Sequence, residues 1–130
     1  MSDNNTFQIF IVDDDRFFRE MLTSKLSEND DYEVSAFSTG EACLEKMDKA
    51  PDVIILDYFL NSVDKEAADG LQILELIRKQ KPSQPVVILS SQDSYGIALQ
   101  TIGRGACYYI VKDEEAFSKA DELVREILNE

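Results

Sequence analysis

Five short runs rich in β-branched and aromatic residues, each followed by a stretch of helical periodicity, constrain this chain more than any other feature. The runs are Phe7 to Val12, Tyr32 to Phe37, Val53 to Leu56, Val86 to Leu89 and Cys107 to Val111. After each of them apolar residues recur three and four apart, the spacing that lines one side of a helix. The first helix is expected from about Asp15, with Phe18, Met21, Leu22 and Leu26 on one face. The second is expected over Gly40 to Ala50 and carries Cys43, Leu44 and Met47; the third aligns Leu71, Leu74 and Ile77. A weaker helix is expected over about Asp93 to Ile102, stopped by Gly103 or Gly105 in a left-handed conformation. The last helix buries Phe117, Ala120, Val124 and Ile127. Strict strand–helix alternation implies an α/β three-layer sandwich, a parallel sheet with helices on both faces. Strands covered on both sides should be continuously apolar, and three of these are. Right-handed crossovers and short connections leave few topologies, of which strand order 2-1-3-4-5 is the common small one.

A chain of 130 residues is enough for one domain with one core. The polar residues 1–6 read as a disordered tail and residues 7–130 as the domain. No apolar run approaches the ~20 residues a membrane span needs. The N-terminus lacks the apolar stretch of an export signal, so a cytoplasmic location is the default expectation. Net charge is −13, from 26 acidic and 13 basic residues. Binding a duplex depends on Lys and Arg neutralising its phosphates, so nucleic acid is excluded as a direct partner. The chain contains no histidine, which excludes imidazole acid–base chemistry and His-ligated metals. Cys43 and Cys107 have no metal or redox spacing; they read as small buried hydrophobes, one on a helix and one on a strand.

In an open α/β sheet, sites form outside the carboxyl ends of the strands. Those ends carry Asp13-Asp14-Asp15 after the first run, Asp57 after the third, Ser90-Ser91 after the fourth and Lys112 after the fifth. In the expected strand order these four runs are neighbours, so carboxylates, a hydroxyl and an ammonium converge. Two carboxylates ~4 Å apart repel by on the order of 4 kcal/mol at an effective dielectric near 20, which a cation would offset. Oxygen-only ligands suit magnesium. Lys112 adds a point charge suited to a phosphoryl oxygen, Ser90 can donate to another, and an Asp carboxylate can act as nucleophile. Taken singly, each residue is better read as a cap or as surface; Asp15 is read so, as N-cap of the first helix. The joint pattern at four strand ends points to phosphoryl transfer.

The segments Ile11-Val12-Asp13-Asp14-Asp15, Val53 to Asp57, Val87 to Ser91 and Gly105-Ala106 with Tyr109-Ile110-Val111-Lys112 closely resemble the receiver domain of two-component response regulators, over essentially the whole chain. The resemblance implies the flavodoxin-like (βα)5 fold. It implies that Asp57 is the phosphoacceptor. Asp13 and Asp14, with Asp57 and the carbonyl of Phe59, would hold magnesium. Ser90 and Lys112 would contact the phosphoryl group, and Tyr109 would be the switch aromatic. Three departures stand out. Asp113 replaces the usual proline after the lysine, so Lys112–Asp113 is expected to be trans. Leu60-Asn61 replaces the usual Met-Pro. The 61–69 loop, with Asp64, Glu66 and Asp69, is longer than the family norm and reads equally as tolerated surface or as a determinant of partner choice or site access.

The function implied is a signalling switch rather than an enzyme. A sensor histidine kinase or histidine phosphotransfer protein supplies the phosphoryl group, and the surface of the fourth helix, fifth strand and fifth helix controls a separate protein target. The chain would work as a monomer or a phosphorylation-dependent dimer. Phe59 and Gln92 would flank the phosphoryl group. Two rival readings remain at this stage. One is a pseudo-receiver that is never phosphorylated. The other is a haloacid-dehalogenase-type phosphatase using Asp13, although Phe17 stands where that family has Thr or Val and there is no cap domain.

Overall fold

The computed structural model describes residues 6–60, 66–91 and 95–129. Of the expected tail only Thr6 falls within these residues; residues 61–65 of the long loop, with Asp64, lie outside them, as do Gln92 and the expected helix start at Asp93. Strands β1 (Phe7–Val12), β2 (Tyr32–Phe37), β3 (Val53–Asp57), β4 (Val86–Ser90) and β5 (Tyr108–Val111) alternate with helices α1 (Arg16–Leu26), α2 (Gly40–Leu44), α3 (Gly70–Gln80), α4 (Tyr95–Gly103) and α5 (Ala116–Leu128). The strands form one parallel sheet in the flavodoxin-like order β2-β1-β3-β4-β5.

Strand alternation divides the core in two. Ile9, Ile11, Ile55 and Leu89 point into a cluster with Leu22 and Leu26 of α1 and Ala120 and Val124 of α5. Phe10, Val12, Leu56 and Ile88 point the other way, into a cluster with Cys43 of α2 and Ile73, Leu74 and Ile77 of α3. Every residue of β3 and β4 is buried, as the continuously apolar runs require. Each fully buried Leu or Ile contributes roughly 1.5–3 kcal/mol, so these two layers hold the sheet while its carboxyl edge stays polar.

Helix starts at that edge are set by side-chain caps. Asp15 accepts from the backbone N–H groups of Phe17 at 3.0 Å and Phe18 at 3.3 Å, as expected from sequence. Asp69 and Gln72 form a reciprocal capping box at the start of α3. Gly105 takes the left-handed conformation after α4, with φ of 109°, and its carbonyl is held by the Arg78 guanidinium. Among the described residues no helix is long and apolar enough to cross a membrane.

Three expectations need correction. The helix expected over Gly40 to Ala50 ends at Leu44 and gives way to a 3-10 turn at Met47–Lys49. Pro51 disfavours a right-handed helical residue before it, and Ala50 has φ of 55°. Met21 is 46% exposed. The buried stripe of α1 runs through Phe18, Leu22 and Leu26, four apart, so a residue three after Phe18 falls beside the stripe. Cys107 is exposed and just precedes β5, at the outer edge of the sheet, whereas Cys43 is buried as expected.

Candidate functional site

Parallel strands in register bring their carboxyl ends together. Val12, Leu56, Ile88 and Tyr109 form one row across β1, β3, β4 and β5. The polar groups begin immediately beyond it. Asp13 and Asp57, two residues after Ile11 and Ile55, continue the side of the sheet under α1 and α5, and so does Lys112, two after Ile110. The N–H of Lys112 donates to the carbonyl of Ser90 at 2.8 Å, and that of Tyr58 to the carbonyl of Leu89 at 2.8 Å, so the strand ends are tied before any side chain acts.

Lys112 Nζ lies 2.8 Å from Asp13 Oδ2 and 3.4 Å from Asp57 Oδ2, with the Lys112 side chain only 12% exposed. Asp13 Oδ1 accepts from the N–H of Asp15 at 2.9 Å, and Arg19 Nη1 donates to the carbonyl of Asp13 at 2.8 Å. Asp13 Oδ2 is buried, and the Lys112 ammonium 2.8 Å away is the charge set against it. Burial, then the Asp13 charge, push the Asp57 acid up to about 8, against the opposing pull of Lys112 and of the Phe59 N–H. Burial works to lower the Lys112 ammonium, but the Asp57 charge and the contacts with Asp13 exceed it, so Lys112 is raised and stays charged.

Carboxylate oxygens of Asp13, Asp14 and Asp57 lie within 4.8 Å of one another. Asp13 and Asp57 are buried and pair with the Lys112 ammonium, and Asp14 is half-buried beside them. An all-oxygen donor set of three carboxylates gathered within 4.8 Å fits a hard divalent cation such as magnesium. The site opens into a cleft lined by Asp14, Arg16, Asp57, Phe59, Ser91 and Lys112. A separate groove between α3 and Arg104 holds none of these groups.

Asp13, Asp14, Asp57 and Lys112 are thus brought together, and Phe59 lines the same cleft. Ser90 is buried at the end of β4. It continues the opposite side of the sheet, two after Ile88, the side against which Tyr109 packs half-buried. Tyr108 packs under α1 and α5, and its hydroxyl donates to Glu126 Oε1 at 3.1 Å. Both tyrosines are partly buried, with α4 and α5 packed against this edge strand. No described peptide bond is cis, so Lys112–Asp113 is trans as expected. Asp113 instead closes its own turn: Oδ1 accepts from the N–H of Glu115 at 2.9 Å, and its carbonyl accepts from Ala116 at 3.1 Å.

Ser91, named with Ser90 at this strand end, lines the open cleft, and Ser90 is buried. Two residues escaped the sequence reading of the site. Gly70 abuts the carboxyl end of β3: its N–H donates to the carbonyl of Tyr58 at 2.9 Å, and a Cβ there would run into the backbone of Asp57 and Tyr58. Phe18 counted only as a core residue, yet the Lys112 ammonium sits over its ring.

A family model for the response regulator receiver domain matches residues 9–127. The chemotaxis protein CheY of Listeria monocytogenes is 30% identical over 110 residues, covering 84% of this chain and 88% of that protein. An NtrX-like response regulator of Rickettsia felis is 32% identical over 104 residues, 80% of this chain but only 21% of that much longer protein. The crystal structure of the receiver domain of NtrX from Brucella abortus superposes with a TM-score of 0.82 at 30% identity, covering 93% of this chain and 98% of that one. A parallel sheet in this order, with acidic strand ends gathered on a lysine and these likenesses along nearly its whole length, places the chain plainly: it belongs to the response regulator receiver domain family.

Proposed function

We propose that the chain is a phosphorylation-dependent switch in which Asp57 accepts a phosphoryl group from a phosphohistidine of a partner kinase or phosphotransfer protein. The observation that carries this reading is the Lys112 ammonium, 3.4 Å from Asp57 Oδ2 and 2.8 Å from Asp13 Oδ2. Receiver domains interact with such kinases or phosphotransfer proteins and with downstream effectors, and no histidine within these 130 residues could carry the phosphoryl group. Asp13, Asp14, Asp57 and the carbonyl of Phe59 would hold magnesium, which when bound supplies positive charge against the carboxylates and the phosphoryl oxygens.

Asp57 attacks as the carboxylate, so the proton it holds in the cation-free site must first pass to solvent. One of its oxygens forms the new P–O bond while the P–N bond of the donor breaks. The leaving imidazole keeps that electron pair and takes a proton from solvent. Lys112 neutralises one equatorial oxygen and the Ser90 hydroxyl donates to another. Ser90 and Tyr109 share one side of the sheet, so drawing Ser90 toward the phosphoryl group opens space into which Tyr109 turns. The surface of α4, β5 and α5 then changes shape, a population shift biased by local charge. That surface would control a separate protein, with the domain working as a monomer or as a phosphorylation-dependent dimer.

The test is incubation with acetyl phosphate and magnesium, followed by intact mass. A phosphoryl adduct that disappears in Asp57→Asn supports the reading. No adduct at any magnesium concentration overturns it in favour of an interaction module that is never phosphorylated.

A further inference from the structure

We infer that Phe18 is a positioning residue for Lys112, its ring face holding the ammonium between Asp13 and Asp57 while Phe117 stacks against the ring. The inference rests on the role proposed above for Lys112. A lysine is a point charge on a flexible four-carbon stem, so the neighbours of Nζ decide where it sits. Two sides are set by the carboxylates of Asp13 and Asp57, at 2.8 Å and 3.4 Å. The third side is the Phe18 ring, whose centroid is 4.6 Å from Nζ. That is inside the ~6 Å range in which an aromatic face attracts a cation, and the attraction grows where water is excluded.

The ring itself is held. Phe18 and Phe117 stack with centroids 4.8 Å apart and planes at 28°. They come from different helices, α1 and α5, packed over the same side of the sheet. The first turn of α1 is fixed by the Asp15 cap, which accepts from the N–H of Phe18 itself. The lysine is therefore placed by a stack that runs from α5 through α1 to the strand ends. An aliphatic side chain at 18 would fill similar space and leave the ammonium without a face to rest on.

The experiment compares the parent with Phe18→Leu and Phe18→Tyr, each checked for folding by its thermal transition. Two readouts are taken: the rate of adduct formation with acetyl phosphate and magnesium, and the ε-methylene proton shift of Lys112 by NMR. The expected result is an upfield ring-current shift in the parent and in Phe18→Tyr, absent in Phe18→Leu. The rate should fall roughly three- to thirty-fold in Phe18→Leu, the range a cation–ring contact of this kind is worth, and return toward the parent in Phe18→Tyr. A Lys112 shift and rate in Phe18→Leu equal to the parent's would overturn the inference. Equal slowing by both variants would overturn it too, since packing shape rather than the ring face would then be the cause. If the parent forms no adduct the proposed function fails, and the Lys112 shift alone still decides whether Phe18 holds the ammonium.

Discussion

Asp57 holds a proton where an exposed aspartate has none, because burial and the Asp13 charge outweigh the attraction of Lys112. The folded acid is raised to about 8 from an ordinary value of 3.8. Between these values the folded state binds a proton that the unfolded state lacks, so stability falls as pH rises through that window. Asn resembles the protonated acid in shape and charge. In cation-free buffer, Asp57→Asn should melt close to the parent near pH 4 and several degrees above it beyond about pH 8. Melting curves across that range check this, and a constant offset between the two proteins would remove the buried proton from the account. The neighbouring Phe59 presents an apolar wall to the same cleft. Phe59→Asn should admit a hydrolytic water and shorten the lifetime of the phosphorylated form; equal dephosphorylation rates would end that idea. At this scale Asp13, Asp14, Asp57 and Lys112 were readable from sequence, because strand ends announce themselves where apolar runs stop. Phe18 and Gly70 were not. The reach of a ring across two helices, and the approach of one backbone to another, leave no spacing to read.

Strands were the most readable elements, since β3 and β4 are buried on both faces and admit nothing polar before Asp57 and Ser90. Helix starts were readable where a cap stands, as at Asp15. Helix extent was harder. The segment after Gly40 keeps helical spacing of apolar residues as far as Met47, yet the helix ends at Leu44 and a 3-10 turn follows, closed at the left-handed Ala50 before Pro51. Periodicity reports which residues want to be buried and carries no information on whether the backbone continues. The junction of β3 with α3 shows what element placement contributes to the site. Gly70 opens α3 directly against the backbone of Asp57 and Tyr58, with its N–H bonded to Tyr58, so the helix start and the end of β3 are in contact. Gly70→Ala must push α3 off the strand end. It should cost about 1–3 kcal/mol, as overpacking against a fixed backbone does, and should slow phosphoryl uptake as well. Chemical denaturation together with adduct formation checks both, and an unchanged midpoint would show that the contact yields without cost.

At the scale of the molecule, a net charge of −13 on 130 residues makes compaction itself repulsive. Two kinds of cation should therefore stabilise the fold, and they can be separated. Monovalent salt screens all exposed charge, over a Debye length of about 10 Å at 0.1 M, and its effect should grow gradually with concentration. A divalent ion at Asp13, Asp14 and Asp57 acts differently, because it binds one folded cluster of oxygens and no comparable site in the unfolded chain. Its stabilisation should follow the ratio of free ion to dissociation constant, reaching about 2.7 kcal/mol at a hundredfold excess. Bound ion must also displace the Asp57 proton, so apparent affinity should rise with pH up to about 8. Thermal melts against magnesium at fixed ionic strength isolate this contribution. Asp14→Asn removes one donor from the cluster without touching the Lys112 ion pairs. It should keep the full response to monovalent salt while weakening the magnesium response several-fold. A magnesium response unchanged in that variant would mean that the ion acts on the acidic surface at large, and the three carboxylates would lose their claim to be its site.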